Sequence, residues 1–104
     1  MDSVFKALSD PTRRRVLQLL RKRPMTAGEL ADEFDLSRPT MSGHFAVLRA
    51  ADLITADKQG TTITYSLRLS VLQDALLGFA EVFGVGEVQV DIDVRRAQES
   101  AHAT

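Results

Sequence analysis

Arg38, Thr40, Ser42 and His44 fall within seven residues, and Arg49 follows close behind. Guanidinium and hydroxyl groups gathered at one end of a helix can exchange hydrogen bonds with an outside polar surface, and the guanidinium groups add positive charge. Such a set suits holding phosphates and reading base edges rather than breaking bonds. A second set, Lys58, Gln59, Thr61 and Thr62, brackets Gly60 and forms a cationic, hydroxyl-rich stretch suited to phosphate contact. Catalytic constellations are missing from the chain. It contains no cysteine, which excludes disulfides, thiolate metal sites and thiol nucleophiles. Its two histidines, His44 and His102, are too few for a protein-only zinc site. Asp91 and Asp93 have no histidine or cysteine beside them, and Gly84-Val85-Gly86 is too short for a phosphate-cradling loop. No enzymatic activity, no cofactor and no metal response are expected.

The elements that carry these residues can be traced from caps and periodicity. Val4, Phe5, Ala7 and Leu8 have helical spacing. Asp10 is then an N-cap and Pro11 fits a first helical position, where its missing N–H has no partner to lose. The second helix turns Val16, Leu17 and Leu20 inward and ends near Pro24. Thr26 and Glu29 have the spacing of a capping box for a short helix with Leu30, Ala31 and Phe34 as its apolar face. Ser37 caps another helix that reaches about Ala51. Pro39 is tolerated there because it lies in the first turn. Two short helices joined by so brief a turn form the helix-turn-helix pattern. Leu53–Thr55 and Thr61–Tyr65 are rich in β-branched residues and predict a hairpin with its tip near Lys58–Thr61. A last helix is expected from about Ser70 to Phe83. The order predicts a mainly α, α+β winged helix-turn-helix, with residues 1–83 as the DNA-binding and dimerisation domain.

Residues 84–104 read as a C-terminal extension. Val88, Val90, Ile92 and Val94 alternate with polar residues as in a strand, and a frayed tail follows from Ala97.

At about 100° per residue, Met41, Phe45 and Leu48 face inward along the Ser37–Ala51 helix. Pro39, Ser42, Gly43, Ala46 and Ala50 face outward, with Thr40 and Arg49 at the edges. An outward face of small residues suits close approach to another surface, whereas a solvated face would be filled with glutamate and lysine. The last helix carries Leu72, Leu76, Phe79 and Phe83 on a stripe wider than one small domain can cover. A partner chain is expected there, with Val4, Phe5 and Leu8 of the first helix joining it.

Charge is divided unevenly. The 104 residues are 44% hydrophobic and 26% charged, with a net charge of −1. Residues 1–68 hold eleven Lys/Arg against eight Asp/Glu, and residues 69–104 hold two against six. A basic front and an acidic back fit a polyanion-binding domain with a separate partner surface. No apolar run nears the roughly 18 residues of a membrane span, so a cytoplasmic protein is expected.

Several stretches, in this order and spacing, resemble the ArsR-type repressors. They are Asp10-Pro11-Thr12-Arg13, Ala27-Gly28-Glu29-Leu30-Ala31, Leu36-Ser37-Arg38-Pro39-Thr40-Met41-Ser42-Gly43-His44-Phe45 and Leu48-Arg49-Ala50-Ala51-Asp52-Leu53-Ile54. Val4 to Arg14, and Tyr65-Ser66-Leu67 with Val71-Leu72-Gln73-Asp74, are most similar to the SdpR-like autorepressor branch. The resemblance spans residues 4 to about 80. It implies a homodimeric bacterial repressor that joins through its first and last helices and controls its own operon at an inverted repeat. It also implies release by sequestration on a partner membrane protein. Metal-sensing members carry Cys pairs near the first helix of the motif or Asp/His sets on the last helix. Here Met25–Phe34 and Val71–Phe83 contain neither Cys nor His. Many members also have Arg or His where this chain has Gly43, which leaves base reading to its neighbours.

Each site residue has a plainer reading beside the functional one. Ser37 serves as a cap and Arg13 points to the apolar side as a structural residue. His44 is either a packing histidine or a DNA contact. Arg38, Thr40 and Ser42 are first-turn residues or base and phosphate contacts, and the Lys58–Thr62 stretch is a soluble turn or a wing. Two further readings of the whole chain are a winged-helix assembly module that binds no DNA and a repressor that responds to a small molecule.

Overall fold

A computed structural model describes residues 2–84. The chain runs α1 (Asp2–Leu8), α2 (Pro11–Lys22), β1 (Met25–Thr26), α3 (Ala27–Ala31), α4 (Arg38–Ala50), β2 (Ile54–Gln59), β3 (Thr62–Leu67) and α5 (Leu69–Phe83). Residues 2–72 belong to one compact unit, and residues 73–84 belong to another. The expected strand over 88–94 and the frayed tail lie outside the described residues.

Each boundary has a local cause. Asp10 is extended, and its Oδ2 accepts the N–H groups of Thr12 at 2.8 Å and Arg13 at 3.1 Å, with Pro11 opening α2. Thr26 and Glu29 form the complete capping box of α3. The Thr26 hydroxyl accepts from the Glu29 N–H at 3.1 Å, and the Glu29 carboxylate accepts from the Thr26 N–H at 2.9 Å. After Ala31 the chain tightens into three-residue turns, in which Glu33 and Phe34 donate to Leu30 and Ala31. Ser37 caps α4 through the Thr40 N–H.

The end of α4 is a Schellman motif. The Asp52 N–H donates to the Arg49 carbonyl at 2.9 Å and the Leu53 N–H to the Leu48 carbonyl at 3.1 Å. Asp52 occupies the left-handed region, φ 58°, where glycine is the usual residue. Leu48 and Leu53, at the two ends of the motif, are both fully buried.

The sheet has the order β1-β3-β2, all antiparallel. β1 is not foreseen by the sequence reading. Two residues carry no periodicity, and this strand exists because Met25 and Thr26 pair with Tyr65 and Thr64. The hairpin is longer than expected. Gln59 pairs with Thr62, leaving a two-residue turn of Gly60 and Thr61 with Gly60 at φ 63°. A positive φ at the first turn residue alone is the type II′ arrangement, which follows the twist of the strands.

Val16, Leu30, Met41, Leu48 and Leu53 are the largest fully buried side chains of the first unit. Leu19 joins Val16, Leu17 and Leu20 on the inner side of α2. Phe45 of α4 and Tyr65 of β3 pack with ring centroids 4.7 Å apart, which fixes α4 against the sheet. α5 is different. Ala80 is its one buried residue, while Leu69, Leu76, Leu77, Phe79, Val82 and Phe83 are exposed. No described helix is long and apolar enough to cross a membrane.

The αL site at Asp52 generates a test. Asp52→Gly removes the Cβ strain at the helix end but frees the unfolded chain, and the first effect is the larger at φ 58°. The expected gain is about 0.5 kcal/mol, a rise in Tm of about 2–4 °C. A melting curve that moves down contradicts it.

Candidate nucleic-acid interface

α4 presents the face that its sequence predicts. Met41, Phe45 and Leu48 are buried, and Pro39, Ser42, Gly43, Ala46 and Ala50 are exposed. A Cβ placed on Gly43 would meet nothing within 4 Å, so packing within the protomer does not require glycine there. At the N-terminal end of the helix, the Ser37 hydroxyl donates to Thr40 Oγ1 at 2.8 Å while accepting the Thr40 N–H at 3.2 Å. Ser37 is thus fully used as the cap. Thr40 keeps its own hydroxyl hydrogen for an outside acceptor. Arg38 is exposed at the start of α4 and Arg49 is exposed in its last turn.

Where α3 meets α4 there is a cleft of about 100 Å³ bordered by Ala27, Gly28 and Ala31 on one side and by Arg38, Ser42 and Met41 on the other. It is well below the size of an ordinary ligand pocket, roughly 300–1,000 Å³.

The wing residues Lys58, Gln59, Thr61 and Thr62 are all exposed around the Gly60 turn. The expected DNA-binding residues therefore fall into two clusters, one along α4 and one at the hairpin tip. The Phe45–Tyr65 contact ties the helix of the first to the sheet of the second. Burial raises the Tyr65 phenol above its usual pKa, and the Arg49 charge opposes this.

His44 does not belong with the exposed set. Its side chain is only 15% exposed, and its Nδ1 lies 3.2 Å from Arg13 Nη1 and 4.0 Å from Asp10 Oδ2. A guanidinium can only donate, so Nδ1 is the acceptor of this hydrogen bond. Of the two readings open for His44, the packing role is the one its surroundings support. The physical reason is a shared partner. Arg13 also donates from Nε to the Ala7 carbonyl at 2.8 Å and from Nη2 to the Lys6 carbonyl at 2.9 Å. Arg13 is therefore structural, as its position on the helix suggests. Burial tends to raise the Asp10 carboxyl. The backbone N–H bonds from Arg13 and Thr12, with the nearby Arg13 charge, outweigh it and hold the group below the ordinary range.

The sequence reading missed Arg14, whose Nη1 donates to the Leu8 carbonyl at 2.7 Å. An exposed arginine at this spacing gives no periodic signal. Among the expected dimer residues, Val4 is buried in the protomer, so its side chain is already committed to the interior. Phe5, Leu8 and Leu72 are half-buried, and Leu76, Phe79 and Phe83 are exposed.

A family profile described as a helix-turn-helix domain matches residues 8–56. The transcriptional repressor SdpR of Bacillus subtilis is 47% identical over 76 residues, covering 73% of this chain and 84% of that protein. The arsenical resistance operon repressor of Staphylococcus aureus is 33% identical over 76 residues, 73% of each. A crystal structure of an ArsR family transcriptional regulator matches with a TM-score of 0.75 at 34% identity, over 83% of this chain and 94% of that one. With the caps, the small-residue face of α4 and the exposed wing all in place, the chain belongs to the ArsR family of winged helix-turn-helix regulators and is a DNA-binding transcriptional repressor, not an enzyme.

Proposed function

We propose that this repressor acts as a homodimer on an inverted repeat upstream of its own gene, in the cytoplasm, without a metal effector. The observation that carries the reading is the exposed small-residue face of α4 with Arg38 and Arg49 at its ends. Thr40 and Ser42, near the N-terminal end, read base edges. Pro39 and Gly43 allow the groove wall to come close. Arg38, Arg49 and the wing residues Lys58, Gln59, Thr61 and Thr62 hold phosphates. Release through a partner membrane protein is carried by the resemblance to the SdpR-like branch.

The dimer reading rests on α5. Val82 is 72% exposed and Phe83 64%, beside exposed Leu76, Leu77 and Phe79. Covering each such side chain contributes about 1.5–3 kcal/mol. A second copy supplies that cover for α5, and Phe5, Leu8 and Leu72 are the half-buried residues expected to add to it. Two-fold symmetry then presents two α4 helices to half-sites about 34–36 Å apart, which is why the operator repeats in inverted form. The absence of cysteine from the chain supports metal independence.

Titration against the DNA just upstream of the gene and against a scrambled duplex, at several salt concentrations, tests the division of labour. Thr40→Ala and Ser42→Ala should each weaken the upstream duplex by about 1–3 kcal/mol and leave the scrambled one nearly unchanged. Lys58→Ala should weaken both alike and lower the salt slope by about one. If Lys58→Ala changes sequence preference and the α4 variants do not, the wing is the reading element. Gly43→Ala should move stability and binding in opposite directions. Melting should show about 0.4–1 kcal/mol of added stability, because the helix gains a better former in open space. The upstream duplex should bind more weakly, because the new methyl occupies the approach. A variant that binds more tightly contradicts the small-face reading. Leu76→Glu should sediment as a monomer and lose the upstream duplex, and a variant that stays dimeric overturns the α5 interface.

A further inference from the structure

We propose that Arg13 and His44 are positioning residues for DNA binding, a bridge that sets where α4 presents its reading face. The proposal rests on the reading of α4 as the groove helix. Arg13 stands in the first turn of α2, with its own N–H held by Asp10 Oδ2 at 3.1 Å. From there its guanidinium spans two other helices. Nε and Nη2 donate to the Ala7 and Lys6 carbonyls, in the last turn of α1, at 2.8 and 2.9 Å. Nη1 reaches His44 Nδ1 at 3.2 Å. His44 lies two residues beyond Ser42 and one turn beyond Thr40, on the same helix as the groups assigned to base edges.

A planar guanidinium has its donors in a fixed fork, so three acceptors on two helices fix those helices relative to each other. Such a bridge acts on α4 as a rigid body. Turning or sliding that helix by about an ångström would move the Thr40 and Ser42 hydroxyls out of hydrogen-bond range of a base edge. Lysine keeps the charge but cannot reproduce the fork. The bridge also makes α1 and α4 mechanically continuous, through packed and hydrogen-bonded groups of the kind that carry coupling between distant surfaces.

The experiment measures binding to the upstream duplex and to a scrambled duplex across a salt series, for the full chain, four single variants and one double variant, with melting curves for each. Arg13→Lys, Arg13→Met and His44→Leu should each lower affinity for the upstream duplex at least tenfold. The salt slope should stay at its wild-type value, because no phosphate contact is lost. His44→Asn, whose Oδ1 can stand where Nδ1 stood, should bind within about twofold of wild type. The double variant Arg13→Met/His44→Leu should cost no more than either single change, as for two ends of one bridge. A slope lower by about one in Arg13→Met makes Arg13 a phosphate contact and overturns the proposal. His44→Asn losing as much as His44→Leu makes the ring itself the reader and also overturns it. Wild-type affinity in all variants has the same consequence. Should Arg13→Met fail to fold, the comparison of His44→Leu with His44→Asn still decides. If the wild-type chain binds neither duplex, the groove reading has failed instead.

Discussion

The end of α1 poses the constraint on which the first unit depends. A seven-residue helix is too short to hold itself together, and its last carbonyls have no partners within it. Arg13 and Arg14, from the next helix, donate to the Ala7 and Leu8 carbonyls, and at Lys6 the Arg13 guanidinium joins the N–H and hydroxyl of Ser9. They can do so because Asp10 and Pro11 start α2 at a fixed angle directly after Ser9. The same guanidinium that closes α1 reaches His44, so the solution to a helix-end problem also locates α4. A run of three arginines that reads as surface charge is in part the hinge pin of three helices.

Sharp element ends do similar work further along. The capping box at Thr26 and the Ser37 cap leave only residues 32–37 for the turn between α3 and α4. The Schellman motif at Asp52 then sends the chain directly into β2. Because Gln59 is opposite Thr62, the hairpin has one register, and its polar tip is set by the Gly60 turn. None of these devices is large in energy, roughly 1 kcal/mol or so for an ordinary cap. Their effect is geometric, since each removes freedom from the exposed polar clusters on α4 and at the hairpin tip.

The surface chemistry matches a repressor that gets affinity and selectivity from different groups. Phosphate contacts give salt-dependent affinity to any duplex, and base edges give discrimination. α4 exposes hydroxyls near its N-terminal end and small residues along the same face. Its guanidinium groups stand at the two ends. α5 has one buried residue and a row of exposed apolar ones.

The division between what was legible and what was not follows the range of the interactions. Caps, helix faces and the hairpin rest on residues within a few positions of each other. Asp10, Thr26, Ser37, the inward Met41, Phe45 and Leu48, and the outward small residues of α4 could therefore be read from order alone. Strand β1 could not, because its two residues become a strand only by pairing with Tyr65 and Thr64 some forty positions away. The partner of His44 could not be read either. A half-polar ring beside an apolar face fits a base contact and a packing role equally well, and what supports the packing role is Arg13, thirty-one residues earlier. The αL residue at Asp52 was hidden for a related reason. The sequence by itself determined the elements, their ends and the face that α4 turns outward, since local sterics and local hydrogen bonds dictate these. Only the tertiary structure decided which polar groups remain available at that face, because a side chain's freedom depends on what distant chain segments bring to it.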